Sequence, residues 1–517
     1  KELQGVLLKA VDPRVPVESL CVHPAETLKQ YATYANPRIP LPRDIYGPQR
    51  KNSQGVNLNI NSQYQPLIDE MATFMDKEHH VKPLLAFEVE DNPANRHEVR
   101  SPFDTRQLVG SVQWTSKAQA QQAVNAAWAA FPSWQATPVE ERAQILERLA
   151  ELMEAHMAEL MTLCSREGGK LLTDGVDEIR EAVDFCRYYA NRARQLFGEA
   201  TPLPGPTGES NELMMSGKGV FACISPWNFP VAIFCSQMVA AAVSGNSVLA
   251  KPAEQTSLVA HRVVELLYEA GMPRDVVQLL PGDGPTVGSV LSSDPRITGV
   301  AFTGSTDTAH IINRALAARE GAALPALIAE TGGLNAMIVD STALPEQVVA
   351  DVISSSFQSA GQRCSALRVL YLQEDVADRV IEILKGAMAE LSVGDPRDLG
   401  TDVGPVIDDE ARQNLQAHID RLKGEGRLVG ETQLDPAHTA HGTFVAPTAF
   451  EIDSIVDLDS EKFGPILHIV RYKAADIDQV IATINGMGYG LTFGVHSRNE
   501  SFAQAISEKI RAGNVYV

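Results

Sequence analysis

From Gly219 onward the chain alternates short, continuously apolar runs with amphipathic ones, and no other feature narrows its fold so much. GVFACIS leads to VAIFCSQMVAAAVSG, NSVLAKP to TSLVAHRVVELLYEAG, DVVQLLPG to PTVGSVLSS, and ITGVAFTG to STDTAHIINRALAARE. Strands that are apolar on both faces and separated by helices require a parallel sheet covered on both sides. Right-handed crossovers make this a doubly wound, Rossmann-type α/β fold, which takes ligands at the carboxyl ends of its strands. After ETGG a second series begins: NAMIV, a helix from about Glu346 to Ser359, LRVLYLQED, and VADRVIEILKGAMAELS. The sequence thus predicts one α/β domain over 65–331 and another over 332–517, meeting near Gly332-Gly333.

Ahead of the first strand the pattern is helical from Ser116. AQAQQAVNAAWAAFPSW is one helix, PVEERAQILERLAELMEAHMAELMTLCSREGG a longer one, and DEIREAVDFCRYYANRARQLF a third. Pro138 with Glu140 and Glu141 marks a start, and Gly168-Gly169 a stop. TPLPGPTGESNELMMSGKG breaks the pattern as a hairpin or excursion near 202–218. Residues 1–64 hold PRIPLPRDIYGPQRKNSQG, rich in Pro and turn formers, and suit an extended linker. The chain starts at Lys1, so it is expected to be a piece of something longer.

Composition excludes several classes. The formal net charge is -21, which repels a phosphate backbone and argues against nucleic acid. Six cysteines without a C-x-x-C pair suggest neither a disulfide framework nor a zinc site, and they point to a reducing cytoplasm. No secretory signal opens the chain. The most apolar window, Phe221 to Val243, contains Pro226, Asn228, Pro230 and Gln237, so it reads as a buried strand, a turn and a helix rather than a membrane span.

Chemistry-bearing residues stand at the strand ends. Ser225-Pro-Trp-Asn-Phe-Pro230 follows one strand, and its two prolines stiffen the turn. Asn228 is therefore either a fixed amide for an oxyanion or a turn residue serving its own backbone. Lys251 and Glu254, in LAKPAE, either grip a ribose diol or form an exposed ion pair. Phe302-Thr-Gly-Ser-Thr306 opens a helix whose N–H groups suit a pyrophosphate. The G-x-G-x-x-G fingerprint is missing; Gly282-Asp-Gly284 comes nearest. Glu330 ends LPALIAE and can serve as a base. FQSAGQRCSA places Cys364 beside the cation Arg363, which favours a nucleophilic thiolate; the alternative is a buried core thiol.

In this order the five segments resemble the aldehyde dehydrogenase superfamily, from about residue 65 to Val517. FQSAGQRCSALRVL and NPRIPLPRDIYGP are similar to the pyrroline-5-carboxylate dehydrogenase branch, in which such a bridge leads from a proline dehydrogenase domain. The resemblance implies Cys364 as nucleophile, Glu330 as the base for the deacylating water, and Asn228, with the Cys364 N–H, as the oxyanion site. It implies NAD, with Lys251 and Glu254 at the adenosine ribose and Gly304 and Ser305 at the pyrophosphate. Glu461 and Phe463, in EKFGPIL, would contact the nicotinamide ribose, with Pro226 and Trp227 on the same cofactor surface. Arg363 and Ser365 would hold the substrate's carboxylate end. No metal is implied.

The implied reaction is NAD-dependent oxidation of L-glutamate γ-semialdehyde to L-glutamate. The implied partners are that small aldehyde, a covalently linked proline dehydrogenase domain, and further copies of the chain in a homo-oligomer. Two departures stand out. Ala309 replaces the second glycine that many relatives carry after G-S-T. The chain stops at GNVYV, where the family continues through a substrate-clasping loop, so 332–517 is expected to be C-terminally incomplete. Competing readings are a dehydrogenase of another semialdehyde such as succinic, an idle scaffold with this fold, and a cysteine hydrolase. The last lacks a His tied to Cys364 by spacing.

Overall fold

The computed structural model describes residues 11–31, 36, 38–321 and 323–517. Two units separate by their contacts, 1–52 and 53–517. The first holds the short helices Val17–Leu20 and Pro24–Leu28 and a 3-10 turn, Pro42–Asp44, with nearly all of its described side chains exposed. Residues 1–10, 32–35 and 37 of the segment read as a linker lie outside the described residues. Helix Asn61–Ala72 begins inside that segment, in the second unit.

After that helix comes a small sheet that the sequence did not announce. β1 (His79–Val81) and β2 (Arg96–Arg100) flank β3 (Leu108–Gln113). The helix Lys117–Ala136 starts at Ser116, whose hydroxyl accepts from Gln119 N while the Gln119 side chain accepts from Ser116 N, a capping box. The single long helix expected after Pro138 is two, Val139–Ala155 and Met157–Gly168. His156 leaves helical geometry at φ -105°, ψ 22°, and its ring nitrogen meets Glu159 Oε2 at 3.2 Å. Helix Leu172–Phe197 follows, then an antiparallel hairpin of β4 (Thr201–Leu203) and β5 (Asn211–Leu213) where the excursion was predicted.

The main series then forms β6 (Val220–Ile224), β7 (Ser247–Lys251), β8 (Val277–Leu279), β9 (Ile297–Gly304) and β10 (Ala326–Thr331). All pair in parallel, in the order β10-β9-β6-β7-β8. Successive side chains of a strand point to opposite faces, and here both faces are apolar. Cys223, Val248 and Ala250 pack on one side with the helices around 139–269, while Ala222, Ile224 and Leu249 pack on the other with Ala120, Val124 and Ile312. Each fully buried Val or Leu of this kind is worth about 1.5–3 kcal/mol relative to exposure. The chain runs from β6 to β7 and β8 on one side, then crosses to β9 and β10 on the other. That reversal opens a crevice at the carboxyl ends of β6 and β9, where such folds hold ligands.

From β10 the chain passes through Gly332–Asn335 directly into a second sheet. Its strands are β11 (Ala336–Val339), β12 (Val369–Gln373), β13 (Leu428–Glu431), β14 (Thr448–Glu451), β15 (Ile466–Tyr472), β16 (Thr492–His496) and β17 (Asn514–Tyr516). They lie in the order β13-β14-β15-β12-β11-β16-β17, all parallel except the β13–β14 pair. Val339, Leu370 and Leu467 face one core, and Ile338, Tyr371 and Val470 the other. No helix among the described residues is long and apolar enough to cross a membrane.

Candidate active site

The two sheets meet end to end. Glu330 stands one residue before the carboxyl end of β10, and Cys364 lies on the loop that leads into the amino end of β12. Their side chains line one cavity of about 610 Å³, together with Gln237, Thr303, Thr331 and Leu491. Glu330 is in parallel register with Thr303, so both side chains leave the same face of the first sheet. Thr303 is held in turn: Gln237 Nε2 donates to its Oγ1 at 2.9 Å, and Ser225 Oγ donates to Gln237 Oε1 at 2.8 Å.

The loop carrying Cys364 is gripped by its carbonyls. Asn228 Nδ2 donates to Gln362 O at 3.0 Å, and Arg368 Nη1 to Gly361 O at 2.7 Å. Arg368 Nη2 reaches Arg363 O at 3.0 Å, Asn335 Nδ2 reaches Cys364 O at 2.7 Å and Ala366 O at 2.9 Å, and Thr492 Oγ1 reaches Ser365 O at 3.3 Å. With these carbonyls turned outward, the N–H groups of Cys364 and Ser365 are left to the sulfur. Upstream, Ser359, Ala360 and Gly361 are all left-handed, at φ 53°, 52° and 66°. A residue with a Cβ resists that conformation by on the order of 1–2 kcal/mol. At Gly361 a side chain would run into Gly464 O, so only glycine fits.

Cys364 is half-buried, whereas Cys164, Cys186, Cys223 and Cys235 are buried. Burial pushes its thiol up and the Glu461 carboxylate adds to this, opposed by the N–H groups of Ser365 and Cys364 and by Arg368. This corrects the sequence reading of the neighbouring cation. The Arg363 guanidinium is turned to Asp174 Oδ1, at 2.7 Å, and to Ser359 Oγ, at 3.1 Å, and the cation that acts on the sulfur is Arg368. Arg363 and Ser365 line a different cavity, of about 780 Å³, with Thr492 and Phe493.

Asn228 is buried but does not line the cavity of Cys364 and Glu330; one N–H of its amide goes to Gln362 O. A side-chain amide carries two such donors. Its turn is anchored by a pair that sequence spacing did not reveal. Lys170 Nζ donates to Asn228 O at 2.5 Å and to Glu178 Oε1 at 2.9 Å, and Glu178 Oε2 accepts the N–H groups of Val231 and Ala232 at the start of helix Ala232–Val243. A carboxylate at a helix N-terminus satisfies orphan donors and complements the dipole.

The cofactor candidates gather around the crevice. Lys251 ends β7 with its side chain buried, and its Nζ lies 3.2 Å from Glu254 Oε1. This is not the ordinary exposed pair offered as one alternative. Gly304 ends β9, and Ser305 caps helix Thr306–Ala317, its Oγ accepting from Thr308 N at 3.2 Å. Trp227 meets Phe463 edge-on, with ring centroids 5.5 Å apart, which brings the Ser225–Pro230 turn (with Pro226) against the EKFGP segment. Glu461 Oε1 accepts from Arg368 Nη2 at 3.0 Å, and a side chain at Gly332 would strike Glu461 Oε2. Burial lifts the Glu461 carboxyl above its usual range, and Arg368 opposes the lift. Buried lysine, helix N-terminus and acidic clamp fit a dinucleotide in the crevice.

Comparison with known proteins adds identity to geometry. The profile of the Aldehyde dehydrogenase family matches residues 89–517. The Klebsiella aerogenes bifunctional protein PutA is 45% identical over 98% of this chain, and the alignment covers 39% of PutA. The chain therefore spans well under half the length of that relative. The 1-pyrroline-5-carboxylate dehydrogenase of Geobacillus sp. (strain WCH70) is 37% identical over 82% of this chain and 80% of its own. The solved structure of the R100A mutant of Thermus thermophilus 1-pyrroline-5-carboxylate dehydrogenase superposes with a TM-score of 0.85 at 32% identity, covering 90% of each chain.

Proposed function

The chain belongs to the aldehyde dehydrogenase family, and from that premise we propose that it oxidises L-glutamate γ-semialdehyde to L-glutamate with NAD as hydride acceptor. The observation that carries this reading is the single cavity shared by a half-buried thiol, Cys364, and a carboxylate, Glu330. The substrate follows from the relatives, whose names specify 1-pyrroline-5-carboxylate dehydrogenase, and the choice of NAD from Glu254, whose carboxylate repels a 2′-phosphate.

Burial and Glu461 keep the resting sulfur protonated, so a base must take that proton, and Glu330 is the carboxylate on the same cavity. Sγ adds to the aldehyde carbon. The developing oxyanion is assigned to the Cys364 N–H and the second amide N–H of Asn228. A nicotinamide held in the crevice would supply the acceptor for the hydride of that carbon. Glu330, having passed that proton to solvent, then deprotonates the water that opens the Cys364 thioester; this frees the carboxylate product, and the departing sulfur takes a proton back to return the thiol. Lys251 and Glu254 would hold the adenosine ribose, Gly304 and Ser305 the pyrophosphate, and Glu461, Phe463, Pro226 and Trp227 the nicotinamide end. Ser365 serves the substrate's own carboxylate.

The same proposal includes a proline dehydrogenase domain on the same polypeptide, assembly into a homo-oligomer and a cytoplasmic setting; the first is supported by the bifunctional relatives that extend beyond this chain. The test is NADH formation by purified protein on glutamate semialdehyde against succinic semialdehyde, each with NAD and with NADP. A preference of the glutamate derivative and NAD by at least tenfold in kcat/KM is expected, a ratio that corresponds to about 1.4 kcal/mol. Equal use of both aldehydes overturns the substrate, and no NADH or NADPH formation from either aldehyde overturns the reaction.

A further inference from the structure

We propose that Arg363 and Asp174 are positioning residues: their ion pair braces the left-handed turn Ser359–Gly361 and thereby fixes the peptide that presents Cys364. The proposal rests on the reading of Cys364 as nucleophile and assigns Arg363 to the protein's own architecture rather than to the substrate.

Among the described residues, Ser359 and Ala360 are the only ones other than glycine at positive φ. Consecutive left-handed residues with side chains persist only where the surroundings hold them. The brace begins within the loop, where Arg363 Nε donates to Ser359 Oγ at 3.1 Å, closing the turn from its far side. It continues out of the loop, where Arg363 Nη2 donates to Asp174 Oδ1 at 2.7 Å. The Asp174 side chain is only 1% exposed and sits in the first turn of helix Leu172–Phe197, a fixed point. Asp177, one turn along, stands 4.0 Å from the same guanidinium. The backbone of Arg363 is pinned as well, its carbonyl accepting from Arg368 Nη2 at 3.0 Å.

Two edges of the Arg363 fork are thus spent inside the protein, one on the strained turn and one on a buried carboxylate. With Nε and Nη2 so engaged, the edge of the guanidinium that they form is not offered as paired donors to a substrate carboxylate. The ends of the brace lie 189 positions apart in sequence, so the pair also couples helix Leu172–Phe197, in the first α/β half, to the nucleophile loop of the second. Released from it, the turn relaxes toward right-handed geometry, and the N–H groups of Cys364 and Ser365 lose their aim at the sulfur.

The experiment uses the full chain with Arg363→Gln, Asp174→Ala and the double substitution. Two readouts are taken: the rate at which iodoacetamide alkylates Cys364 at one fixed pH without cofactor, followed by mass spectrometry, and kcat and KM for the aldehyde. Each single variant is expected to slow alkylation by at least about tenfold, the effect of losing a hydrogen bond between charged groups. It should lower kcat in proportion and leave KM unchanged, and the double variant should be no worse than either single. Asp174→Asn, which keeps shape and acceptor but not charge, should fall between wild type and Asp174→Ala, and it serves if Asp174→Ala does not fold. A rise in KM confined to Arg363→Gln, with alkylation at the wild-type rate in all variants, overturns the proposal and returns Arg363 to the substrate. Alkylation needs no aldehyde oxidation: the expected pattern in a protein that makes no NADH would sink the nucleophile reading and leave the brace standing.

Discussion

Arg368 Nη2 lies 3.0 Å from Glu461 Oε1, and the same buried guanidinium holds the carbonyls of Gly361, Arg363 and Gly464. One cation therefore binds the loop that carries Cys364 to the segment that carries Glu461 and Phe463. It also lies 5.2 Å over the Phe463 ring.

Removing that cation strips the half-buried Glu461 of its counter-charge and several carbonyls of their donor. Breaking a buried ion pair from one side costs roughly 3–5 kcal/mol. Arg368→Met is expected to lose about that much unfolding free energy in a urea titration. Arg368→Lys, a point charge without a planar fork, should recover only part of it. A variant as stable as wild type would remove Arg368 from this role.

Cys364→Ala is expected to bind NAD, detected by quenching of protein fluorescence, and to form no NADH with the aldehyde. Glu330→Gln should form NADH slowly, because the thiol has lost its base, and release at most one equivalent per subunit, because any thioester that forms is not hydrolysed. Stopped-flow absorbance separates the two outcomes, and steady turnover in either variant would discard the corresponding role.

Asn228→Ala should lower kcat by ~10²–10³, the usual loss for one oxyanion donor, with NAD affinity retained. Isothermal titration alongside turnover checks both halves of this expectation. A loss of cofactor affinity of the same size would instead make Asn228 part of the cofactor surface.

Removing the negative charge beside Lys251 should relax the choice of dinucleotide. Glu254→Gln is expected to improve kcat/KM with NADP relative to NAD, measured as a ratio in the same preparation. An unchanged ratio would place the adenosine ribose elsewhere.

The pair His418 and His468, Nε2 to Nε2 at 3.0 Å, is an acid-sensitive joint behind Arg368. His468 Nδ1 lies 3.1 Å from Arg368 O, an acceptor, so that nitrogen carries the proton and His468 Nε2 receives the one from His418. Burial brings His418 down to about 4 and His468 to about 3. These values lie below the ordinary imidazole, so as pH falls the unfolded chain takes up protons first. The stabilisation is complete above about 6.5 and is lost as pH drops from there toward 4 and then 3, by at most about 1.4 kcal/mol per pH unit for each ring. Urea titrations at a series of pH values should show a shallower acid slope in His468→Gln than in wild type. An identical slope would mean that this joint does not titrate on unfolding.

The parallel series after Gly219 was legible because continuous apolar strands and amphipathic helices differ in period, and because the chemistry-bearing residues fall at strand ends. Cys364 and Glu330 could be named from local wording, and the structure places both on one cavity. The direction in which Arg363 points was not legible. Adjacency to Cys364 suggested a charge effect, but Asp174, in a distant helix, captures the guanidinium. Arg368 and the Lys170–Glu178 pair were missed for a similar reason, since partners 93 positions apart, or one in a loop and the other on the helix that follows, leave no periodic trace. The break at His156 was hidden by an apolar pattern that continues in register on both sides.

The hand-over at Gly332–Asn335 makes the chemistry a property of how the two layered halves are seated. Chimeras between relatives should therefore be cut so that this tether, the Glu461 segment that abuts it and the Asp174 anchor travel together. A hybrid with every reacting side chain present but the tether taken from one parent and its seat from the other would hold sulfur and carboxylate at the wrong spacing and stay silent.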